Sequence, residues 1–189
     1  MPRTPRDSAP GLHHVWVNAT GNESYFIDDV DRIEWIRQLA RTLDVYDWRC
    51  IAFAQLTTHV HLILEIADWS LPLGMRQLNY EHSVGFNLRH ARGGQFVRRR
   101  YGNRRIDSGK DLVGAFVYVV LNPVKAGLAL RPELWHWSSY ATTLGISSDF
   151  PFVDASLVLA EVGGSVERLR ATVDAEHARY VAKTGTSGV

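Results

Sequence analysis

Two strand-patterned stretches, Trp48 to Leu56 and Thr58 to Ile66, follow each other with almost no chain between them. Strands joined so closely pair antiparallel, because a parallel return needs a crossover of a dozen residues or more. The chain is thereby committed to a hairpin, and its flanks decide what sheet grows around it.

Gly11 to Asn18 reads as a first strand, with Val15 and Val17 beside Trp16, and Gly21-Asn22 is a turn signal after it. A helix follows. Val30, Ile33, Ile36, Leu39, Ala40 and Leu43 recur at three- and four-residue spacing, and Asp28, Asp29 and Asp31 stand where the helix dipole favours anions. Beyond the hairpin, Leu71 to His90 predicts a second helix despite Pro72, Gly74 and Gly85, and Gln95 to Tyr101 predicts a short last strand. The order β-α-β-β-α-β is that of a ferredoxin-like α+β domain, one antiparallel sheet with helices on one face.

A further helix spans about Lys110 to Leu121, with Ser108 to cap it and Pro123 to stop it. Trp135 to Tyr140 reads as a packed aromatic segment. From Asp154 a helical region runs to Gly163-Gly164, and Val166, Leu169, Val173, His177 and Tyr180 then mark one stripe of a last helix. The expected organisation is a disordered tail over residues 1–10, one domain over 11–145, and a helical C-terminal extension over 146–189 whose end, from Thr184, is disordered.

The length of 189 residues suits a single domain, and 46% apolar residues suffice for a core. Cys50 is the only cysteine, which excludes an intramolecular disulfide and a multi-thiolate zinc site and fits a reducing compartment. The start lacks the apolar stretch of a secretory signal, and no run approaches the roughly 18 apolar residues of a membrane helix. A soluble cytoplasmic protein without a membrane partner is expected.

The formal charge of +1 excludes a chain that is basic throughout, yet it averages two unlike parts. Residues 76–131 hold eleven Lys and Arg against three acids, a surplus of eight, and the remainder carries −7. Arg89, Arg92, Arg98, Arg99, Arg100, Arg104 and Arg105 fall within one acid-free stretch, with Phe96 and Tyr101 interleaved. Phosphate contacts and base stacking call for that mixture, although a solvated basic face has the same composition.

Chemistry concentrates at two places. In His59-Val60-His61, strand alternation sets both imidazoles on one face with Cα atoms about 7 Å apart, while Val60, Leu62 and Leu64 point the other way. Two such rings can converge on one metal, or simply pack. His13-His14 cannot, because adjacent strand residues face opposite ways. The helix from Asp111 to Asn122 is apolar almost all round and must be buried, yet it carries Tyr118 and Asn122 at i and i+4 on one face, with Gly114 leaving space beside them. The tyrosine is a candidate nucleophile if a metal polarises its target, and Asn122 can offer a neutral oxygen or hold the ring. A core tyrosine and a helix-ending Asn before Pro are the plainer alternative.

The combination of His59-Val60-His61-Leu62, Phe86-Asn87 followed by Gly94 and arginines, Tyr118 through Leu128, and Trp137-Ser-Ser-Tyr140 resembles the HUH single-tyrosine transposases, in particular their REP-associated tyrosine transposase branch, over about residues 11 to 145. The resemblance implies a divalent-metal nickase and strand-transferase acting on single-stranded or hairpin DNA, with a nucleoid-associated place in the cytoplasm. It implies Tyr118 as the nucleophile, forming a 5′-phosphotyrosine link and a free 3′-OH. His59, His61 and Asn122 then hold Mg²⁺ or Mn²⁺, and Arg89, Arg92, Arg98, Arg99, Arg100, Tyr101, Arg104 and Arg105 contact DNA. Thr57-Thr58 stand where members of the group carry Pro-Asn, and Asn18-Ala19-Thr20 lack an arginine common there. These departures keep open a second reading, a hairpin-binding regulatory protein without catalysis. A third, an RNA-recognition sheet, would place aromatics on the exposed face of the third strand, where His59, His61, Ile63 and Glu65 stand instead. Monomer and homodimer both remain open.

Overall fold

The computed structural model describes residues 8–21, 23–94, 96–97 and 101–185. The expectations for residues 1–7 and 186–189, and for Arg98, Arg99 and Arg100, lie outside the described residues. Strand β1 (Gly11–Asn18) leads into helix α1 (Asp29–Tyr46), the hairpin β2 (Arg49–Gln55) and β3 (His59–Ile66), helix α2 (Leu71–Arg89) and strand β4 (Gly102–Ile106). Helix α3 (Gly109–Lys125), a 3₁₀ turn (Pro132–Leu134) and helices α4 (Tyr140–Thr143), α5 (Ser156–Glu161) and α6 (Val166–Thr184) follow among the described residues. The four strands form one antiparallel sheet in the order β2-β3-β1-β4.

Both faces of the sheet are covered. Val15, Val17, Phe53, Val60, Leu62 and Leu64 pack with Trp35 and Leu39 of α1 and Leu71, Met75 and Phe86 of α2. On the other face, Ile51, Ala52, Ala54, Ile63 and Ile106 meet Phe116, Val119 and Val120 of α3, with Val158 of α5 and Leu169 and Val173 of α6 in the same cluster. The register of β2 against β3 shifts between Cys50 and Ala52, so the successive residues Ile51 and Ala52 both join the α3 side. Residues 135–139 protect the outer edge of β2: Gln55 N donates to Trp137 O at 2.9 Å, Trp135 Nε1 donates to Gln55 O at 2.8 Å, and Phe53 N donates to Ser139 Oγ at 2.9 Å.

Three expectations need correction. The last strand is Gly102–Ile106, downstream of the stretch from Gln95 to Tyr101, because β4 pairs with β1 through Leu12↔Ile106 to Trp16↔Gly102 and only a glycine leaves room there for the Trp16 indole. On α1 the buried side is Asp31, Trp35, Leu39, Thr42 and Leu43, whereas Val30 and Ile33 are exposed. The helix turns to bury its largest ring, Trp35, and to bring Asp31 onto α2. Ser108 caps α3 by accepting from Asp111 N at 3.1 Å, as expected, but Pro123 does not stop the helix. Proline forfeits one hydrogen bond, and the helix ends two residues later at Lys125, where Gly127 adopts φ 69° and Leu128 N donates to Pro123 O at 2.8 Å.

Gly74 of α2 gives a direct test of how closely this layer packs. A Cβ there would lie 2.2 Å from Trp48 Cη2. Gly74→Ala, which normally stabilises a helix, is therefore expected to destabilise the fold by about 1–3 kcal/mol, read from the urea midpoint.

Candidate active site

Register decides which side chains share the α3 face of the sheet. Trp16 lies opposite His61, and Asn18 opposite His59, while Arg104 of β4 lies opposite His14. These residues and Tyr118 of α3 line an open cleft of about 450 Å³. His13 and His14 face opposite ways, as alternation requires: His13 is buried with its Nε2 on Ala9 O, whereas His14 turns toward the cleft, so the pair's failure to share a metal does not remove His14 from the site. Alternation along β1 puts His14, Trp16 and Asn18 on one face. Nothing local to that strand says that the face meets His61.

The imidazoles form a connected set. His14 Nε2 and His61 Nδ1 are 3.0 Å apart and share a proton-bearing hydrogen bond, and Thr58 Oγ1 lies 3.0 Å from His59 Nδ1. The ring centroids of His59 and His61 are 5.0 Å apart, and Tyr118 stands edge-on to His61 at 5.4 Å and to His14 at 5.5 Å. Thr57-Thr58 therefore leave the end of the hairpin well held: Leu56 N donates to His59 O at 2.8 Å, and the carbonyls of Thr57 and Thr58 accept from Tyr25 N and Ala19 N.

Burial, with His14 and His59 nearby, pushes the His61 pKa down to about 3. Burial, with Arg104 nearby, lowers His14 to about 4, and burial also lowers His59. All three rings are thus neutral at pH 7, the state in which an imidazole nitrogen has a lone pair to offer. The same shifts couple stability to pH. His82, buried on Tyr25, is lowered to about 4 as well. Because the folded-state values of His14, His61 and His82 lie below the unfolded value near 6.5, their contribution is complete above about pH 6.5 and is lost as pH falls toward 4. Urea midpoints measured from pH 7 to pH 4.5 are expected to fall, with a slope of up to about 1.4 kcal/mol per pH unit for each ring; a flat profile would contradict the burial of these rings.

Tyr118 is 44% exposed, unlike its apolar neighbours on α3, and Lys125 Nζ lies 5.4 Å from its ring centre. Asn122, one turn on, is buried and donates Nδ2 to Tyr118 O at 2.9 Å; it does not line the cleft.

The arginines divide. Arg104 is exposed and lines the cleft. Arg89 binds Asp28 at 2.6 Å and Asp31 at 3.1 Å, Arg92 binds Glu23 at 2.6 Å, and Arg105 binds Asp107 at 3.2 Å. The expected base-stacking roles of Phe96 and Tyr101 are corrected by burial: Tyr101 is 6% exposed, and Phe96 lies 3.8 Å from Phe86 in a parallel stack within the core. Among the described residues, Asp28, Asp31 and His90 also bring three possible metal-ligand atoms within 4.8 Å of one another. The Arg89 guanidinium already supplies positive charge to both carboxylates there.

No described helix is long and apolar enough to cross a membrane. No protein-family model matches the chain, and no curated protein matches it by sequence. Among solved structures it is similar to a REP-associated tyrosine transposase bound to a REP hairpin, with a TM-score of 0.67 and 17% identity over 77% of this chain and 86% of that one. The chain shares the fold of that REP-associated tyrosine transposase.

Proposed function

We propose that the cleft is the active site of a divalent-metal-dependent enzyme that nicks and rejoins single-stranded or hairpin DNA through Tyr118. The observation that carries this reading is the meeting of His59 and His61 of β3 with an exposed Tyr118 of α3, with 5.0 Å between the two imidazole centres and 5.4 Å from His61 to Tyr118. The sheet order β2-β3-β1-β4 supports the ferredoxin-like reading of the domain, and the neighbour of like fold is described as bound to a hairpin.

The donor set fits Mg²⁺ or Mn²⁺. His59 and His61 both have Nδ1 engaged, which leaves Nε2 of each to face a ligand. A His61 that ligates through Nε2 carries its proton on Nδ1 and donates it to His14, the outer partner that fixes ring orientation at metal sites. For Asn122 to be the proposed third donor its amide oxygen would have to turn into the cleft, which it does not line here; water and phosphate oxygens would complete the shell. When bound, the metal polarises a phosphoryl oxygen and offsets its charge.

Tyr118 Oη attacks the backbone phosphorus. The Oη–P bond forms, the bond from phosphorus to the 3′ oxygen breaks, and the proton lost by the phenol is balanced by one gained on the leaving 3′-OH. The phosphodiester energy is kept in the 5′-phosphotyrosine, so a 3′-OH can reverse the step. Arg104 lines the cleft and Lys125 stands over the Tyr118 ring, both offering positive charge for the strand; Arg98, Arg99 and Arg100 are also proposed to contact DNA.

Incubating the protein with end-labelled hairpin DNA and Mn²⁺ tests the proposal. A labelled species that survives denaturing electrophoresis is expected, and EDTA should prevent it. Metal-independent hairpin binding without adduct, over substrates with varied tails, would favour the non-catalytic regulatory reading.

A further inference from the structure

We propose that Trp16 is the stacking platform for one unpaired nucleobase of the DNA strand entering the cleft. The proposal rests on the reading of the cleft as a DNA site, and it adds a binding position to that reading.

Trp16 stands in the middle of the cleft-facing side of β1, between His14 and Asn18, and opposite His61 on β3. On its other flank it pairs with Gly102 of β4, where a Cβ would fall 2.2 Å from Cε2, 2.4 Å from Cζ2 and 2.5 Å from Nε1 of the indole. The ring therefore lies down over the glycine backbone, held in place on one side, and its remaining surface borders the cleft. It is only partly buried. Its Nε1 makes no hydrogen bond among the described residues, in contrast to Trp48 on Ser70 and Trp135 on Gln55.

The surroundings suit a nucleotide. Arg104 supplies a cation on the same face, and Asn18, at the end of the strand, offers both a donor and an acceptor to a base edge. Phe96 and Tyr101, the aromatics interleaved with the arginines, are buried and unable to stack. A flat ring fixed from behind loses little freedom when a base lies on it, and every base has a π-face, so such a platform accepts any sequence. An indole that merely shields Gly102 would strengthen the sheet without touching DNA, and this is the alternative the experiment separates.

The test uses the wild-type chain in EDTA, which prevents cleavage, and fluorescence anisotropy with a labelled DNA hairpin bearing a single-stranded tail. A parallel series carries one abasic nucleotide at successive tail positions. One position is expected to lower affinity roughly 5- to 100-fold, the range of a single base–aromatic stack. Trp16→Ala should lower affinity for the intact tail by a similar factor and lose nothing more on the abasic probe, while Trp16→Phe retains most of the binding. Independent, multiplying losses from Trp16→Ala and the abasic site would overturn the proposal, as would a Trp16→Ala chain with a lower urea midpoint and unchanged DNA affinity. If the wild-type chain binds none of these probes, the DNA reading of the cleft fails and the platform fails with it.

Discussion

Tyr118→Phe is expected to abolish the covalent DNA adduct, a loss of roughly 10³-fold or more, while hairpin affinity stays within a few-fold of wild type. The substitution removes one oxygen and keeps the ring that stands edge-on to His14 and His61 and beneath Lys125. Because Tyr118 is 44% exposed, no buried hydroxyl partner is lost and the fold should be unaffected. Of the other possible acceptors lining the cleft, His59 and His61 are the proposed ligands and His14 has its Nε2 engaged by His61, which leaves Tyr118 as the candidate. An adduct that persists in Tyr118→Phe, at any rate near that of wild type, would sink the assignment of the nucleophile. Loss of the adduct together with loss of hairpin binding would instead mean that the tyrosine hydroxyl anchors the strand.

The second large effect is on stability. Asp31 is the buried centre of the joint between α1 and α2: its side chain is 1% exposed, accepts from Ile27 N at 2.9 Å, and meets Arg89 Nε at 3.1 Å and His90 Nε2 at 2.9 Å. Asp28 caps α1 through Asp31 N at 3.0 Å and takes the other side of Arg89. Asp31→Ala takes the acceptor from the His90 imidazole and from Ile27 N and leaves Arg89 with Asp28 alone, and is expected to cost about 2–3 kcal/mol, seen as a lower urea midpoint with an unchanged slope. Arg89→Ala removes the more exposed member and should cost less. A loss below about 1 kcal/mol for Asp31→Ala would show that the cluster is a solvated surface pair. The same experiment bears on metal: if Mn²⁺ raises the melting temperature of a His59→Ala/His61→Ala chain and Asp31→Ala removes that rise, the cluster is itself a cation site.

This joint also shows where sequence pattern misleads. The apolar series Val30, Ile33, Ile36 predicted the inner side of α1, but its acidic first turn supplied the residue that goes inside. Periodicity counts apolar side chains and is blind to a carboxylate whose charge is matched by residues some sixty positions away. The arginine-rich stretch shows the same blindness to partners. Among its described residues it separates into Arg104 at the cleft and Arg89, Arg92 and Arg105 held by acids of the chain. Linear charge density cannot reveal which cations have partners.

Whereas the place of β4 followed from its pairing with β1, the first three strands and the long helices were determined by the sequence itself, because hydrophobic period, the Ser108 cap and the short hairpin are local facts of the chain. So was the single facing of His59 and His61, which follows from alternation alone. The tertiary structure decided the rest of the site. Pairing β1 with β3 in the register that sets Trp16 against His61 brought His14 within 3.0 Å of His61, and packing α3 on that face brought Tyr118 beside both. Register and layer order depend on contacts between segments far apart in the chain, where shifting a strand by one residue would exchange His14 for His13 at the cleft. The site is the product of those contacts, and no stretch of the sequence contains it alone.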